Sequence, residues 1–291
     1  MEKLLFILNP KAGVDRNKTI ASAIKEHLDS SLYDWELAFT QYAGHGTLLA
    51  KEAIEKGVKT IVAVGGDGSV NDVIQSLVGK DVALGVIPMG SGNGLARSVG
   101  LPLKVKNAIK VLNKRNIHAI DLGLVNGEKY FISNAGVGFD AVVTKEFAKS
   151  DKRGFLSYID IIVKKMFSFK SKDWEIEIDG KVYHHKAFML TIANGPQLGY
   201  NFQIAPVAIF NDGVFDIVVI NKHPRLLTGI IGLQGFTDTL LKNRYVSHYT
   251  GKKIVIRNQE NDTMQLDGDF EECVMPLEIE IQEKALKLLC P

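Results

Sequence analysis

The sequence predicts two domains of different class: an α/β domain with a parallel sheet at residues 1–124, and a mainly antiparallel β-sandwich domain at residues 125–284. Two observations predict this. In the first part, short apolar strands alternate with helical stretches, whereas in the second part strand-like segments follow one another directly. The change falls between Asp121 and Glu128, without a Pro/Ser-rich linker. We therefore expect the domains to pack closely and to leave a cleft between them.

The elements of the first domain follow from its hydrophobic periodicity. The predicted strands are KLLFILN (3–9), WELAFT (35–40), TIVAVGG (60–66) and VALGVIP (82–88). Apolar residues at helical spacing predict helices at 18–28, 46–57, 69–79, 93–100 and 105–114. Uninterrupted apolar strands are typical of a parallel sheet that is covered on both faces.

The second domain contains six strand-like stretches: YFISNAGVG (130–138), WEIEIDGKVYHHKAFMLTIANG (174–195), VFDIVVIN (214–221), KKIVIRN (252–258), MQLDGD (264–269) and LEIEIQ (277–282). The turns VNGEK and IDGKV carry Asn-Gly and Asp-Gly, which favour tight hairpins. Two helices are predicted among the strands, at 155–167 and 224–241. The pattern indicates an antiparallel sandwich.

Composition excludes several classes of protein. The chain has 291 residues, 46% of them apolar and 23% charged, with a formal net charge of +2, so we expect no nucleic-acid partner. The two cysteines, Cys273 and Cys290, have no metal-ligand spacing. The first apolar run, LLFIL, is too short for a signal peptide, and no run approaches about 18 uncharged apolar residues. We expect a cytoplasmic protein that is able to contact the inner membrane face.

Four strand-to-helix connections of the first domain carry candidate binding residues: NPKAG (9–13), the segment after Thr40, GGDGSVND (65–72) and PMGSGNG (88–94). Because each follows a parallel strand, they should gather at the carboxyl edge of the sheet, where α/β folds bind ligands. Glycines let backbone N–H groups approach phosphate oxygens. One such loop is usually plain turn chemistry, but two dense ones in one sheet indicate a nucleotide site. Neither loop is a G-x-G-x-x-G fingerprint or a P-loop.

These loops, together with Thr40 and the following GHG and the extended motif GSGNGLAR, resemble the diacylglycerol kinase and sphingosine kinase family of lipid kinases. The resemblance continues through IDLGLVN (120–126), SNAGVGFDA (133–141), residues 205–216 and LDGD (266–269). GGDG alone is shared with NAD kinases and phosphofructokinase-like proteins. The resemblance implies an α/β nucleotide domain, a β-sandwich domain that takes the lipid, and a final segment, 285–291, that returns to the first domain.

The resemblance also implies ATP and Mg²⁺ as cofactors, and it assigns the residues that border the nucleotide. These are Asn9, Pro10, Lys11, Ala12, Gly13, Thr40, Gly65, Gly66, Asp67, Gly68, Ser69, Asn71, Asp72, Gly90, Ser91, Gly92 and Asn93. Arg97 lies one helical turn after Asn93, where it could reach a phosphate or the lipid head group; it could equally be a solvated arginine.

Three acids are assigned to catalysis by the same resemblance. Asp67 orients water or Mg²⁺ at the phosphates, Asp269 accepts the proton of the lipid hydroxyl, and Asp121 links the two. Asp269 stands where the family usually has Glu, which shortens its reach by about 1.5 Å. The alternative interpretation of DGD is an ordinary hairpin turn.

Asp212 matches a structural Mg²⁺ site of the bacterial enzymes, completed by the carbonyls of Ile209 and Val214. One carboxylate with carbonyls and waters suits Mg²⁺. A hairpin Asp-Gly is the open alternative.

Residues 145–172 carry eight Lys/Arg and three acids around the amphipathic stretch FLSYIDIIVKKMFSF. Such a segment can rest on an anionic bilayer, or it can be a solvated helix face. The proposed partner is a lipid substrate at the membrane surface with peripheral membrane contact, and a homodimer is left open.

Together these features predict an ATP-dependent lipid kinase that phosphorylates a hydroxyl of diacylglycerol, a sphingoid base or a related lipid. Two alternatives stay open: NAD kinase-like phosphorylation of a soluble substrate, and a non-catalytic lipid- or nucleotide-binding homologue.

Overall fold

The computed structural model describes residues 1–10, 16–150, 154–258 and 262–291. The chain divides into two compact units. The first unit contains residues 1–120 and 284–291, and the second unit contains residues 121–283.

The first unit is an α/β fold built on a parallel sheet. Its strands are β1 (Glu2–Leu8), β2 (Tyr33–Phe39), β3 (Thr60–Gly65) and β4 (Ala83–Pro88), in the order β2-β1-β3-β4. Its helices are α1 (Arg16–His27), α2 (His45–Glu55), α3 (Asp67–Ile74), α4 (Gly94–Ser98) and α5 (Val105–Lys114). All nine elements were predicted from the sequence, and the largest difference is at α3, which was predicted to reach residue 79 and ends at Ile74.

The core of the first unit explains why these strands are continuously apolar. Every residue of β3 and β4 is buried, as expected for strands covered on both faces. Late in the chain, Lys287 and Leu288 pair in parallel with Ala83 and Leu84, and Leu289 joins the core. The residues 284–291 therefore add a strand segment beside β4.

The second unit is mainly antiparallel. Its strands and helices, including two that begin or end in the first unit, are β5 (Ile117–Val125), β6 (Lys129–Phe131), β7 (Asn134–Gly138), α6 (Phe139–Lys149), α7 (Phe155–Met166), β8 (Lys172–Ile178), β9 (Lys181–Ala193), β10 (Gln197–Gly199), β11 (Phe202–Gln203), β12 (Phe215–Asn221), α8 (Thr228–Gln234), β13 (Val246–Gly251), β14 (Lys253–Arg257), β15 (Asp262–Leu266), β16 (Asp269–Cys273) and β17 (Leu277–Leu289).

The long strand β9 organises this unit, because it pairs antiparallel with β7, β8 and β12. Three hairpins turn on two residues with positive φ: Asn126-Gly127, Asp179-Gly180 and Asp267-Gly268. Both residues of such a turn need the left-handed region, which Asn, Asp and Gly tolerate best. The first two hairpins were predicted on this basis.

Two predictions about the helices of the second unit were wrong, and strands β5, β10, β11 and β13 were not predicted. Helix α6 was not predicted, although it follows directly from strand β7 at Gly138, whose φ is 98°. The apolar run at 224–241 forms only a 3-10 turn at Arg225–Leu227, α8 and a second 3-10 turn at Leu240–Lys242. Glycines at 229, 232 and 235 lower the helix propensity of that run. In the described part of the chain, no helix has the length and apolar character that a membrane span requires.

Candidate functional site

The loops predicted to bind a nucleotide leave the same edge of the first sheet. Leu8, at the end of β1, is in register with Phe39 and with Val64, and Gly65 is in register with Pro88. The four strands therefore end together, and the loops after them share one carboxyl edge. Lys11, Ala12 and Gly13, which were predicted to border the phosphates, lie outside the described residues.

Backbone hydrogen bonds hold the starts of these loops side by side. The Asn9 N–H donates to the Val64 carbonyl at 3.3 Å, and the Thr40 N–H donates to the Leu8 carbonyl at 2.9 Å. The Met89 N–H donates to the Gly65 carbonyl at 2.8 Å. Asn9 and Thr40 are both half-buried, so part of each residue is accessible at this edge of the sheet.

Gly66 and Gly90 bring the two glycine-rich loops into direct backbone contact. A Cβ atom placed on Gly90 would lie 2.5 Å from the Gly66 Cα, and one placed on Gly66 would lie 3.1 Å from the Gly90 Cα. Real side chains do not tolerate the first distance, so Gly90 is required for loop packing alone, and at Gly66 a side chain would force the Gly90 backbone to shift. Gly65 is likewise covered by the Ser69 side chain.

Asn93 closes the second glycine loop on itself. Its Oδ1 accepts from the Gly90 N–H at 2.9 Å, and its Nδ2 donates to the Gly90 carbonyl at 2.8 Å. The residue is buried, with φ of 49°, a region that Asn adopts more readily than most residues. Arg97 holds the same loop, because its Nε donates to the Gly92 carbonyl at 2.9 Å. Ser91, at the tip, is exposed.

Asp67 joins the first glycine loop to the start of α4. Its Oδ2 accepts from the Gly94 N–H at 3.0 Å, and its Oδ1 accepts from the Leu95 N–H at 3.2 Å. Burial raises the pKa of the Asp67 carboxyl above its ordinary value of 3.8, and the hydrogen bonds from these backbone N–H groups oppose that shift only in part. The backbone N–H groups of Asn93 and of Asp67 itself also bond this carboxylate, so four amides hold it in place.

Asp72 and Asn71, also predicted to border the nucleotide, have structural partners. Asp72 Oδ2 accepts from the Gly46 N–H at 2.9 Å, and Asp72 Oδ1 accepts from the Thr47 hydroxyl at 3.1 Å. Asp72 therefore caps the first turn of α2, where a carboxylate is favourable. Asn71 Oδ1 accepts from the Gln75 side chain at 3.0 Å, one turn along α3.

In the second unit, Asp121 is buried and anchors the loop that precedes β12. Its Oδ2 accepts from the Gly213 N–H at 2.8 Å, and its backbone N–H donates to the Phe210 carbonyl at 2.6 Å. Its carbonyl accepts from the Asn194 side chain at 2.8 Å. Asp121, the residue predicted to link the two catalytic acids, therefore fixes the backbone of the loop that carries the predicted metal ligands.

The metal loop itself is at the surface. Asp212 is exposed, and its Oδ1 accepts from the Val214 N–H at 3.2 Å, while Ile209 is 56% exposed. Among the described residues, no group of three or more His, Cys, Asp or Glu side chains is arranged to hold a metal. One carboxylate with two carbonyls fits a Mg²⁺ ion that keeps several waters, so the set Asp212, Ile209 and Val214 stays a prediction.

The late DGD turn separates two acids with different surroundings. Asp267 is buried, and its carboxylate accepts from the N–H groups of Ile132 (2.9 Å), Ser133 (2.7 Å) and Asn134 (3.1 Å). Asp269 opens β16 opposite Leu266 and is exposed. Asp267 therefore anchors the hairpin and leaves the Asp269 side chain exposed at its surface.

A buried polar cluster beside this hairpin was not predicted. The Gln265 Nε2 donates to Asn134 Oδ1 at 2.7 Å, and Asp140 lies 3.5 Å from the same nitrogen. Within the described structure, Asn194 Oδ1 and Gln197 Oε1 are buried without a hydrogen-bond partner. The signal in the sequence was a set of polar residues in apolar runs, such as those in SNAGVGFDA.

Comparison with known proteins accounts for nearly the whole chain. Residues 3–125 match the family described as "Diacylglycerol kinase catalytic domain", and residues 133–290 match the "YegS C-terminal NAD kinase beta sandwich-like domain". The chain is 28% identical over 276 residues to the "Diacylglycerol kinase" of Bacillus subtilis (strain 168), covering 93% of this chain and 90% of that protein. It is 31% identical over 278 residues to a "Probable lipid kinase YegS-like" of Yersinia pestis (strain Pestoides F), covering 92% and 90%.

A solved structure shares the fold. The crystal structure of a diacylglycerol kinase from Bacillus anthracis str. Sterne superposes with a TM-score of 0.76 over 100% of this chain and 97% of that chain, at 24% identity. An α/β unit followed by a β-sandwich-like unit is therefore the shared architecture, as the sequence predicted.

Proposed function

This chain belongs to the family of diacylglycerol kinases and YegS-like lipid kinases, and we propose that it transfers the γ-phosphate of ATP to a hydroxyl group of diacylglycerol, a sphingoid base or a related lipid. The observation that carries the proposal is the shared carboxyl edge of β1 to β4, where two glycine-rich loops touch and Asp67 lies between them. The lipid acceptor lies in a membrane, so the protein works at a membrane surface.

The loops of the first unit supply the phosphate site. Asn93 and Arg97 fix the shape of the second loop through its backbone, so its remaining N–H groups are preorganised before ATP arrives. Backbone N–H groups hold the Asp67 carboxylate at the same edge, where it is suited to orient water held by Mg²⁺. The bound ion would neutralise charge that develops on the phosphates.

Asp269 is the proposed proton acceptor for the transfer. The lipid hydroxyl oxygen forms a bond to the γ-phosphorus, the bond from that phosphorus to the β,γ-bridging oxygen breaks, and the hydroxyl proton passes to the Asp269 carboxylate. ADP leaves with the electron pair of the broken bond. The three amides bound to Asp267 fix the hairpin backbone, and with it the position of Asp269 two residues later.

The test is transfer of ³²P from labelled ATP to a panel of vesicle-dispersed diacylglycerols, sphingoid bases, ceramides and prenols. Wild type should label one class. Asp269→Asn should lower that rate at least about 100-fold, as expected for loss of a general base.

Glu272→Gln, which removes an exposed acid from the same strand, is the matched control and should keep the wild-type rate. Wild type that labels no lipid but converts NAD to NADP would contradict the proposal in favour of a soluble acceptor. Lipid binding without ATP turnover would favour a non-catalytic homologue.

A further inference from the structure

We propose that Gln265 is a positioning residue for the phosphoryl transfer, because its buried side-chain amide ties the turn that carries Asp269 to strand β7 and to the start of helix α6. This role rests on the proposed function, in which Asp269 accepts the proton of the lipid hydroxyl. Gln265 acts through Asp269 and not on the substrate itself.

The carbonyl end of the Gln265 side chain holds the turn. Gln265 lies in β15, is 1% exposed, and its Oε1 accepts from the Gly268 N–H at 2.9 Å. The hydrogen bond of a β-turn uses the N–H of the fourth residue, here Asp269, so the Gly268 N–H takes its partner from a side chain. The bond to Gln265 therefore fixes the peptide between Asp267 and Gly268.

The amino end of the same side chain is bound to β7. Gln265 Nε2 donates to Asn134 Oδ1 at 2.7 Å, and Asn134 Nδ2 donates to the Gln197 carbonyl at 3.2 Å. Because the Asn134 nitrogen is used by that carbonyl, the Asn134 oxygen faces Gln265 and requires a donor there. The position therefore needs a side chain that donates at one end and accepts at the other, as an amide does.

The Gln265 nitrogen also faces helix α6. Asp140 Oδ2 lies 3.5 Å from Gln265 Nε2, and Asp140 Oδ1 accepts from the Ala141 N–H at 2.9 Å. Gly136, which is in register with Gln265, makes room for this approach. A Cβ atom on Gly136 would overlap Asp140 Oδ2 and lie 3.1 Å from Gln265 Nε2. One amide thus joins the turn, β7 and the first turn of α6.

Gln265 and Asp267 restrain different parts of the turn. The three N–H bonds of Asp267 hold the first turn residue, whereas Gln265 holds the second, Gly268, whose φ is 88°. Glycine has the widest choice of backbone angles, so Gly268 is the point at which the chain before Asp269 can most easily move. A displacement of about 1 Å can lower a catalytic rate about 100-fold. Gln265 therefore limits where the Asp269 carboxylate can lie.

The test compares the kinetics of Gln265→Met and Gln265→Glu with those of wild type, on the lipid that wild type phosphorylates and on samples that circular dichroism shows to be folded. Methionine has a similar length but no donor, so the kcat of Gln265→Met should fall at least about tenfold. The KM for ATP should change less than about twofold, because the residues assigned to ATP lie in the first unit.

Gln265→Glu gives a readout that a purely structural role would not give. A protonated Glu can donate to Asn134 Oδ1 and accept from the Gly268 N–H, as Gln does, whereas an ionised Glu cannot donate and is repelled by Asp140. The kcat of this variant should match that of wild type in mildly acidic buffer. It should fall at least about tenfold as the pH rises and the new carboxyl ionises.

The ratio of the two kcat values removes the titration of groups that both proteins share. The ionisable groups around the amide are Asp140, Asp267 and Tyr158, whose pKa is raised by burial and by the Asp140 charge. The matched control is Thr191→Val, on the β9 residue in register with Gly136. The Thr191 hydroxyl is buried and has no hydrogen-bond partner in the described parts of the chain, so this variant should keep the wild-type kcat at every pH.

A loss of kcat in Gln265→Met, with recovery of Gln265→Glu in acidic buffer, supports the positioning role. An active wild type with an equally active Gln265→Met variant would overturn it, as would an equal loss in Thr191→Val. Should Gln265→Met fail to fold, a kcat ratio for Gln265→Glu that does not vary with pH would also overturn it. A wild type that labels no lipid would instead contradict the proposed function.

Discussion

At Asp67, Asp72 and Asp267, carboxylates in the sequence motifs bind backbone amides. Each side chain joins two segments that are distant in sequence, which a motif cannot reveal. The predicted roles of Asp67 and Asp72 at ATP stay predictions, and a role of all three acids in holding the loops is observed. The two roles are compatible, because a loop that binds phosphate must first have a fixed shape.

The raised pKa of Asp67 predicts how stability depends on pH. The folded pKa lies above the unfolded value of 3.8, so between these two values the folded state binds more protons. Wild type should therefore lose stability relative to Asp67→Asn as the pH rises from below 3.8 through the raised pKa, by at most about 1.4 kcal/mol per pH unit. Above that pKa the difference should be constant.

Urea unfolding of both proteins across this pH series checks the prediction. Because Asn keeps only one acceptor oxygen, a pH-independent offset of about 1 kcal/mol is also expected. Parallel stability curves at every pH would show that burial does not penalise the Asp67 charge.

At the scale of elements, the hairpin between β15 and β16 carries one acid that we expect to matter for stability and another that we expect to matter for activity. Asp267→Asn should lower the free energy of unfolding by about 2 kcal/mol or more, because a single amide oxygen cannot serve three buried N–H groups. Asn also tolerates the left-handed φ of 48° at this position, so backbone strain adds nothing to the expected loss of stability.

The comparison variant is Asp269→Asn, which changes an exposed side chain two residues later and should alter stability by less than about 0.5 kcal/mol. Thermal and denaturant unfolding measure both. If Asp269→Asn were the more destabilising change, the assignment of Asp267 as the anchor would be incorrect.

Elements were predictable where local chemistry decides them. The strands of the first unit follow from unbroken apolar runs, and the hairpins at Asn126-Gly127 and Asp179-Gly180 follow from their turn residues. Helix α6 was missed because its start is set by Gly138, which the strand-like run SNAGVG obscures. The helix predicted at 224–241 was too long, because three glycines lower the helix propensity of this apolar run.

At the scale of the whole chain, the first unit depends on residues that come more than 160 positions later. Leu289 is buried in the core with Leu4, Phe6 and Ile109. Leu289→Ala should lower the free energy of unfolding by about 2–5 kcal/mol, as other Leu→Ala changes in cores do.

Lys287→Ala, two residues earlier, removes only an exposed ion pair with Asp81 and should change stability by less than about 1 kcal/mol. Denaturant unfolding followed by the fluorescence of Trp35 and Trp174 measures both. Equal effects of the two substitutions would argue against a structural role for the late strand.

Contacts between residues that are distant in sequence could not be predicted from the sequence. The glycine loops could be found because each is one continuous stretch. The buried polar cluster of Asn134, Asp140 and Gln265 could not, because its members come from β7, α6 and β15, which are distant in sequence. The Gly66–Gly90 contact was likewise hidden, so glycines attributed to phosphate binding alone also serve packing.

The late strand beside β4 also bears on the order of events during translation. The ribosome adds about 5–20 residues per second, so the roughly 160 residues between 120 and 284 take about 8 to 30 s to make. Throughout that time the nascent first unit lacks the neighbour of β4, and an uncovered strand edge invites pairing with other chains. The unit that is synthesised first is therefore completed last, and a chaperone has its longest opportunity to act at that edge.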